Sequence, residues 1–503
     1  MSKYLLGIDN GGTIIKAALF DSQGREIAVA SSKVKVHMPH PGFIERNMNE
    51  LWGSNAKVIK DLILKAGIDP GLIVGVGVTG HGNGIYLIDE NGKPVGNGIN
   101  SADSRANDIV AKWHENGVYD SVHPKIMQEI WAGQPVALLA WMKINTPDIV
   151  TKTKWILMCK DYIRFCLTGV AYAEITDLSG TNLMNVKDAR YDKELLKEFG
   201  LEDIIDKLPP IKYSSEICGY VTPEAERQTG LKAGTPVAGG LFDIDACAIA
   251  TGLFDEEKAC IVAGSWSINQ YITKAEIISK NLFLNTLYCI KGYRLITEAS
   301  PTSASNLEWF VEQFFGAEEK AAKENGVSVY KICDEIVSKI QPEESNMIFL
   351  PFLFGTNVEA DSKSSFIGIK GWHTRDHLLR SVFEGVVLSH LYHFNRLLAY
   401  RPKPEAIRIS GGAARSRVWV QIFADAFQIP IEVVKGSELG ALGAAICAGV
   451  ATNVFESFKT ATEGMVEISY TCIPNPDKKE IYEKKYLNYL SIIKQLAPVW
   501  KNL

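Results

Sequence analysis

A short polar turn between two apolar strands occurs twice in this chain, about half a chain length apart, and this repeat limits the fold more than any other feature. Tyr4 to Ile8 and Ile14 to Phe20 are apolar runs separated by Asp9-Asn10-Gly11-Gly12-Thr13. Ala259 to Ala263 and Ile268 to Ile272 flank Gly264-Ser265-Trp266-Ser267 in the same way. Strand, turn and returning strand predict a hairpin at each place. Two adjacent glycines let backbone N–H groups face one common space, so the first turn can hold a phosphate. A chain of 503 residues exceeds what one hydrophobic core fills. The repeat therefore predicts two domains of similar size, 1–245 and 246–503, with a cleft between them.

Between these hairpins the pattern alternates. Leu51 to Leu64 has helical apolar spacing, Ile73 to Val78 reads as a buried strand, and Tyr86 to Ile88 follows a glycine-rich turn. Arg375 to Leu398 predicts a long helix with apolar stripes at Leu378, Val382, Val386 and at Leu379, Phe383, Val387, and Lys478 to Leu503 a C-terminal helix. Ala246 to Gly252 and Gly440 to Gly449 are helices of small residues, expected near the inter-domain seam because small side chains let backbones approach closely. The class is α/β.

Composition narrows the partners. Lys and Arg total 53 against 58 Asp and Glu, a net charge of −5, which argues against nucleic acid or an anionic membrane surface. No apolar stretch reaches the length that spans a bilayer, and the N-terminus reads as a strand instead of a signal sequence. Nine scattered cysteines, none in a two-residue-gap pair, read as reduced, mostly buried thiols and point to a cytoplasmic protein.

Three motifs are set aside. Gly75-x-Gly77-x-x-Gly80 matches a dinucleotide fingerprint, but its glycines alternate with Val74, Val76 and Val78 inside one strand and no helix opens after it. An NAD-linked oxidoreductase would rest on these glycines alone. His373/His377 and His390/His393 lack Cys or carboxylate partners at metal-site spacing. The chain has no Gly-x-x-x-x-Gly-Lys-[Ser/Thr] and no His-Arg-Asp loop, so a phosphotransferase here is neither a P-loop enzyme nor a protein kinase.

Two acids carry the chemistry. Asp9 ends the first strand directly before the glycine turn, where its carboxylate can face Mg²⁺ and phosphate, with Thr13 and Lys16 following as donors. A capped turn is the plainer reading of that position. Asp243, in Gly239-Gly240-Leu241-Phe242-Asp243, follows an apolar strand and opens a small-residue helix beside the expected domain boundary. It is either an N-cap or a base that accepts the proton of an attacking hydroxyl. Ile407 to Ser410, then Gly411-Gly412-Ala413 and a helix to about Phe427, form a strand, turn and helix N-terminus suited to a nucleotide.

With these motifs in view, the chain resembles the FGGY carbohydrate kinases of the actin and hexokinase superfamily. Asp9 to Asp21 is similar to the family's first phosphate motif, Lys160-Asp161-Tyr162 through Leu167-Thr168-Gly169 to its Lys-Asp-Tyr and Leu-Thr-Gly segment, and Thr176-Asp177 to Ser179 to its Thr-Asp-x-Ser. Ser364 to Glu384 fits the C-terminal signature, Ser410 to Ala414 the adenosine motif, and Gly436 to Ala445 the Glu-Leu-Gly-Ala-Leu-Gly-Ala segment.

The resemblance implies two actin-like (ribonuclease H-like) domains, sugar bound by the first and nucleotide by the second. It implies ATP and Mg²⁺, with Asp243 as catalytic base and Asp9 beside the transferring phosphate, holding the metal through water. Gly11, Gly12, Thr13 and Lys16 would form the first phosphate turn, and Gly264 and Ser265 the second. Gly411, Gly412 and Ala413 would line the adenosine pocket, while His81, Asn83, Asp103 and Arg105 would join Asp243 around the sugar. A homodimer is the default assembly.

Gly12 in place of the usual threonine, Leu241-Phe242 before the base and Ser101 in place of a tryptophan depart from the family pattern. Together with Glu298 to Ser303 and Asn306 to Phe310 they are most similar to the branch acting on L-xylulose, which implies L-xylulose 5-phosphate as product. D-xylulose, ribulose or a polyol such as glycerol or erythritol are the alternatives. A non-catalytic nucleotide switch or sugar sensor on the same scaffold would not need the sugar-side polar set.

Overall fold

The computed structural model describes residues 3–359 and 361–502. Met1 and Ser2 of the N-terminal run and Leu503 of the expected C-terminal helix lie outside the described residues. From the N-terminus, β1 (Tyr4–Asn10), β2 (Ile14–Asp21) and β3 (Glu26–Lys33) form a meander, and β4 (Glu45–Arg46) precedes helix α1 (Met48–Ala66). Further on come β5 (Ile73–Gly80), α2 (Cys159–Thr168), the short α3 (Ile175–Ser179), β6 (Ile217–Tyr220), β7 (Pro236–Ala238), β8 (Leu241–Phe242) and α4 (Asp243–Ala250). The remaining elements that concern the site are β9 (Lys258–Ala263), β10 (Ser267–Thr273), α5 (Arg375–Leu397), β11 (Ala406–Ser410), α6 (Arg417–Phe427), β12 (Ile431–Val434), α7 (Leu439–Ala451) and β13 (Ile468–Cys472). The chain forms two compact units: Met1–Phe254 with Ile272–Ile296 and Gly436–Val466, and Asp255–Tyr271 with Thr297–Lys435 and Glu467–Leu503. Packing thus divides the chain differently from a single cut near residue 245, because α7 belongs to the first unit.

In the first unit the strand order is β6-β7-β5-β1-β2-β3, with β8 also beside β5. β1 is antiparallel to β2 and parallel to β5. Successive side chains of a strand point to opposite faces. Leu6, Ile8, Val76 and Val78 pack on one face with Leu51, Val58, Ile59 and Leu62 of α1. The other face is made of glycines where it meets α7. A Cβ at Gly7 would overlap the Ala441 carbonyl, one at Gly77 the Ala444 carbonyl, and one at Gly75 would crowd Thr452 and the Ala448 carbonyl. The parallel register sets Gly7 beside Gly77, so helix backbone lies directly on strand backbone. α7 meets α4 in the same way, since Gly443 leaves room for the Ala246 carbonyl. The two small-residue helices therefore pack on each other, and α7 also lies on the first sheet.

The second sheet has seven strands, among them the run β10-β9-β11-β12-β13. β9 is antiparallel to β10 and parallel to β11, the relation β1 has to β2 and β5. The hairpin repeat of the sequence is thus a repeat of topology. Helix α5 is buried on nearly its whole circumference from Leu379 to Leu391, more than the two expected stripes require. Its His390 is buried and bridges two segments. The Nδ1 side faces Asn269 Oδ1 at 2.9 Å and Ser267 Oγ at 3.1 Å, and Nε2 faces Ser303 Oγ at 2.8 Å. An amide oxygen only accepts, so Nδ1–H donates to Asn269 and the Ser303 hydroxyl donates to Nε2. Burial, with the charge of His393 as a second cause, pushes the His390 pKa down to about 3.

All nine cysteines are free and most are buried. Among the described residues no helix is long and apolar enough to cross a membrane.

Two measurements follow from this packing. Gly77→Ala places a methyl on the Ala444 carbonyl, so unfolding stability should fall by roughly 3 kcal/mol, read as the urea midpoint; an unchanged midpoint contradicts the close approach. His390 is neutral in the folded protein down to about pH 3, while the unfolded chain binds the proton near pH 6.5. Its stabilisation is complete above pH 6.5 and lost as pH falls. His390→Gln should flatten the acid slope of stability between pH 6.5 and 4.5 by up to about 1.4 kcal/mol per pH unit.

Candidate active site

Three strands of the first unit leave the sheet at one level. Asn10 pairs with Gly80, and Gly80 with Phe242, all in parallel register. β1 runs on into Gly11-Gly12-Thr13, β5 into His81-Gly82-Asn83-Gly84, and β8 into Asp243. Ligands of open α/β sheets bind beyond the carboxyl ends of parallel strands, and Asp9, His81, Asn83 and Asp243 are brought to that edge together.

Asp9 lies on the α7 face of β1, one alternation beyond Gly7. Its carboxylate packs where a Cβ at Gly440 would be, against the first turn of α7, whose unpaired N–H groups favour an anion. Burial nevertheless pushes its pKa up to about 6; Lys16 lowers it and Glu438 raises it. Lys16, opposite Asp9 on β2, directs its Nζ to Glu438 at 2.8 Å, so its ammonium is engaged within the unit.

Asp243 is the first residue inside α4, and the cap position is Phe242, without a side-chain cap bond. The half-buried carboxylate accepts from its own N–H and that of Ile244, and its pKa is raised well above the usual range, first by burial and then by Asp9 and Asp177. The start of α4 is held from behind, because the Phe242 N–H donates to Thr176 Oγ1 at 2.9 Å and that hydroxyl donates to Glu174 Oε2 at 2.7 Å. The Phe242 ring lies where a side chain at Gly82 would be. The residue that replaces a common third glycine therefore packs on the turn carrying His81 and Asn83.

His81 Nε2 faces the Tyr86 hydroxyl at 2.9 Å. Burial, then the Arg46 charge, push its pKa down to about 3, so the ring is neutral. Asn83 has φ +59°, its N–H donates to Asp177 Oδ1 at 3.2 Å, and its Oδ1 is buried with no hydrogen-bond partner among the described residues. Asp177 belongs to a buried charge cluster in which Lys160 Nζ reaches Asp161 at 2.8 Å, Glu174 at 3.3 Å and Asp177 at 3.7 Å. Burial pushes the Asp177 pKa up to about 7, against the pull of Lys160.

Asp103 and Arg105 are held differently. Arg105 donates Nε to Asp103 Oδ1 and Nη2 to Asp103 Oδ2, both at 2.9 Å, and Nη2 to Glu45 Oε1 at 2.8 Å. Its guanidinium lies 4.0 Å from the Phe43 ring centroid and 5.1 Å from that of Trp141. Asp103 Oδ2 also takes the Ile44 N–H at 2.6 Å. Arg105 lines a cavity of about 310 Å³ with Phe43, Glu45, Leu87 and Trp141, in whose wall His81, Asn83 and Asp243 do not take part.

One group at the first turn has no counterpart in the sequence reading. Arg46, fully buried at the end of β4, donates Nη2 to the carbonyl oxygens of Gly11, at 3.2 Å, and Gly12. Its only sequence signal was a basic residue beside a short apolar segment, which most often lies on the surface. Thr176 and Asp177 were visible as a motif, but their link to Phe242 and Asn83 joins segments far apart in the chain.

In the second unit the same strand-end relation recurs. Gly264 and Ser265 form the turn between β9 and β10, with the Ala304 N–H donating to the Gly264 carbonyl at 2.8 Å. β11 lies parallel to β9, and Gly411, at φ +90°, abuts this turn: a Cβ there would stand 2.6 Å from the Ala263 carbonyl. Gly411-Gly412-Ala413 do not sit at an α-helix N-terminus as expected. Gly412–Arg415 form a 3₁₀ turn, and α6 begins at Arg417, capped by Ser416.

Comparison with known proteins bears on the family. The model of the FGGY family of carbohydrate kinases, N-terminal domain, matches residues 4–250, and that of its C-terminal domain residues 259–452. The chain is 37% identical over 497 residues to L-xylulose/3-keto-L-gulonate kinase of Escherichia coli strain K12, covering 99% of this chain and 98% of that protein. It is 38% identical over 487 residues to a probable L-xylulose kinase of Pasteurella multocida, covering 97% of each. Among solved structures, xylulose kinase from Rhodospirillum rubrum aligns with a TM-score of 0.88 at 24% identity over 99% of this chain and all of that one. Gluconate kinase from Lactobacillus acidophilus aligns with a TM-score of 0.90 at 22% identity over the full length of both. The fold is thus the actin-like α/β fold in two domains, and the chain belongs to the FGGY family of carbohydrate kinases.

Proposed function

We propose that the chain transfers the γ-phosphoryl group of ATP to the terminal hydroxyl of L-xylulose, giving L-xylulose 5-phosphate and ADP. Identity of 37% and 38% over almost the whole length to proteins named for L-xylulose supports that acceptor. The observation that carries the chemistry is Asp243, which leaves a parallel strand end where the Asp9 charge reaches it.

In this reading the acceptor oxygen attacks the γ-phosphorus, the bond to the ADP oxygen breaks, and the hydroxyl proton passes to the Asp243 carboxylate. Phosphoryl transfer has a loose transition state, so alignment and charge stabilisation supply most of the rate, and the base orients the hydroxyl and takes its proton late. Thr176 and Glu174 hold the Phe242 N–H, one residue before Asp243, for that role. Neutral His81 and the unpartnered Asn83 Oδ1 offer hydrogen bonds to sugar hydroxyls. Gly264 and Ser265 would take phosphate oxygens, and Gly411 to Ala413 the adenosine.

The acid pair fits a divalent cation. Burial raises the pKa of both acids, Asp9 adds to the rise at Asp243, and the Lys16 ammonium opposite Asp9 is engaged by Glu438. Mg²⁺ held by Asp9 through water would neutralise charge on the transferring phosphate.

The test is ketose-dependent ADP release across pentuloses, 3-keto-L-gulonate and polyols, with L-xylulose expected to give the highest kcat/KM. Asp243→Asn should keep its melting temperature and lose roughly 10²- to 10⁴-fold in kcat. Near-normal turnover in that variant would refute the base assignment.

A further inference from the structure

Two arginines, Arg46 and Arg164, are fully buried among the described residues, while Arg294, which also lacks an ion pair, is 8% exposed. Arg164 meets Asp161 at 2.8 Å, Arg380 meets Glu384 at 2.9 Å, and Arg105 meets Asp103 and Glu45. Arg46 is as buried as any of these, yet no carboxylate among the described residues lies within ion-pair distance of it, and its Nε and Nη1 have no hydrogen-bond partner. A buried cation without a counter-ion is costly and needs a reason.

Its Nη2 donates to the carbonyls of Gly11 and Gly12, and the Tyr86 hydroxyl also lies against its guanidinium. In a trans peptide the C=O and the following N–H point opposite ways. With both carbonyls turned toward Arg46, the N–H groups of Gly12 and Thr13 turn away from it. Gly12 and Thr13 are exposed, and neither N–H donates to an acceptor among the described residues. The guanidinium charge also reaches His81, which it helps to keep neutral, so no nearby imidazolium competes with it.

We infer that Arg46 is a positioning residue for phosphoryl transfer: it sets the two peptide planes of the glycine turn and lends that turn a positive charge that only a bound oxyanion balances. The inference rests on reading Gly11-Gly12-Thr13 as a phosphate turn. Arg46 itself stays sealed beneath the turn and acts through its backbone and its field.

The experiment compares wild type, Arg46→Gln and Arg46→Lys. Glutamine still offers N–H groups to the carbonyls but carries no charge; lysine keeps the charge. Arg46→Gln should lower kcat/KM for ATP by about 10- to 100-fold, leaving KM for L-xylulose within about twofold. Arg46→Lys should recover most of that loss. Titration calorimetry separates this from general damage: ATP and ADP should bind Arg46→Gln more weakly while adenosine binds as to wild type. If adenosine, ATP and ketose all weaken together, or if Arg46→Gln matches wild type, the role is overturned. A loss confined to the acidic acceptor 3-keto-L-gulonate would assign the charge to an acceptor carboxylate and overturn it as well. Should wild type transfer no phosphoryl group, the kinase reading falls and this inference with it; an active wild type with an indifferent Arg46→Gln overturns this inference alone.

Discussion

The close approach of α7 to the backbone of β1 and β5 is the constraint on which the first unit's site depends. Glycines at 7, 75 and 77 remove every side chain from that stretch of sheet, and Gly443 does the same toward α4. Backbone packed on backbone has no flexible layer to absorb error, so the helix is fixed in translation along the strands. That sets its first turn against the Asp9 carboxylate and its flank against the helix that begins with Asp243. The separation of the two acids is thus set by packing, not by a bond between them.

Electrostatically the site is left in tension. Asp9 and Asp243 are desolvated and repel, Asp177 adds a third acid behind them, and Lys16 is engaged by Glu438. Beneath the turn that follows Asp9, Arg46 carries the opposite imbalance, a cation without an acid. Excess negative charge at the strand ends and excess positive charge under the adjoining turn suit a ligand that joins a cation to a phosphate. Charges that cancelled within the protein would leave such a ligand little to do.

Local pattern revealed much of this. The strands around both turns, the continuous strand through Gly75 and Gly77, and the long helix after Arg375 were legible because periodicity and turn chemistry are local properties. The same pattern ruled out a dinucleotide loop at Gly75 to Gly80, and the structure supplies the positive reason for those glycines, the helix lying on them. That reason was hidden because α7 is hundreds of residues away. Lys16 was read as a donor at the turn, but its partner Glu438 sits at the cap of that distant helix. Asp103 and Arg105, expected at the sugar, are bound chiefly to each other and to Glu45, since proximity in sequence does not tell a ligand contact from an internal pair. The start of α6 was placed too early because a 3₁₀ turn and an α-helix share the same opening residues.

The first unit is discontinuous in the chain, and this bears on its synthesis. On the ribosome β1, β2 and β5 emerge early, while the helix that covers their glycine face arrives only after Asp255–Tyr271 and Thr297–Lys435 of the second unit have been made. Until then one side of a nearly complete sheet is bare backbone and small apolar surface, open to other chains. Nascent protein truncated before Leu439 should therefore be a client for chaperones, and the first unit can become native only once that helix has been made.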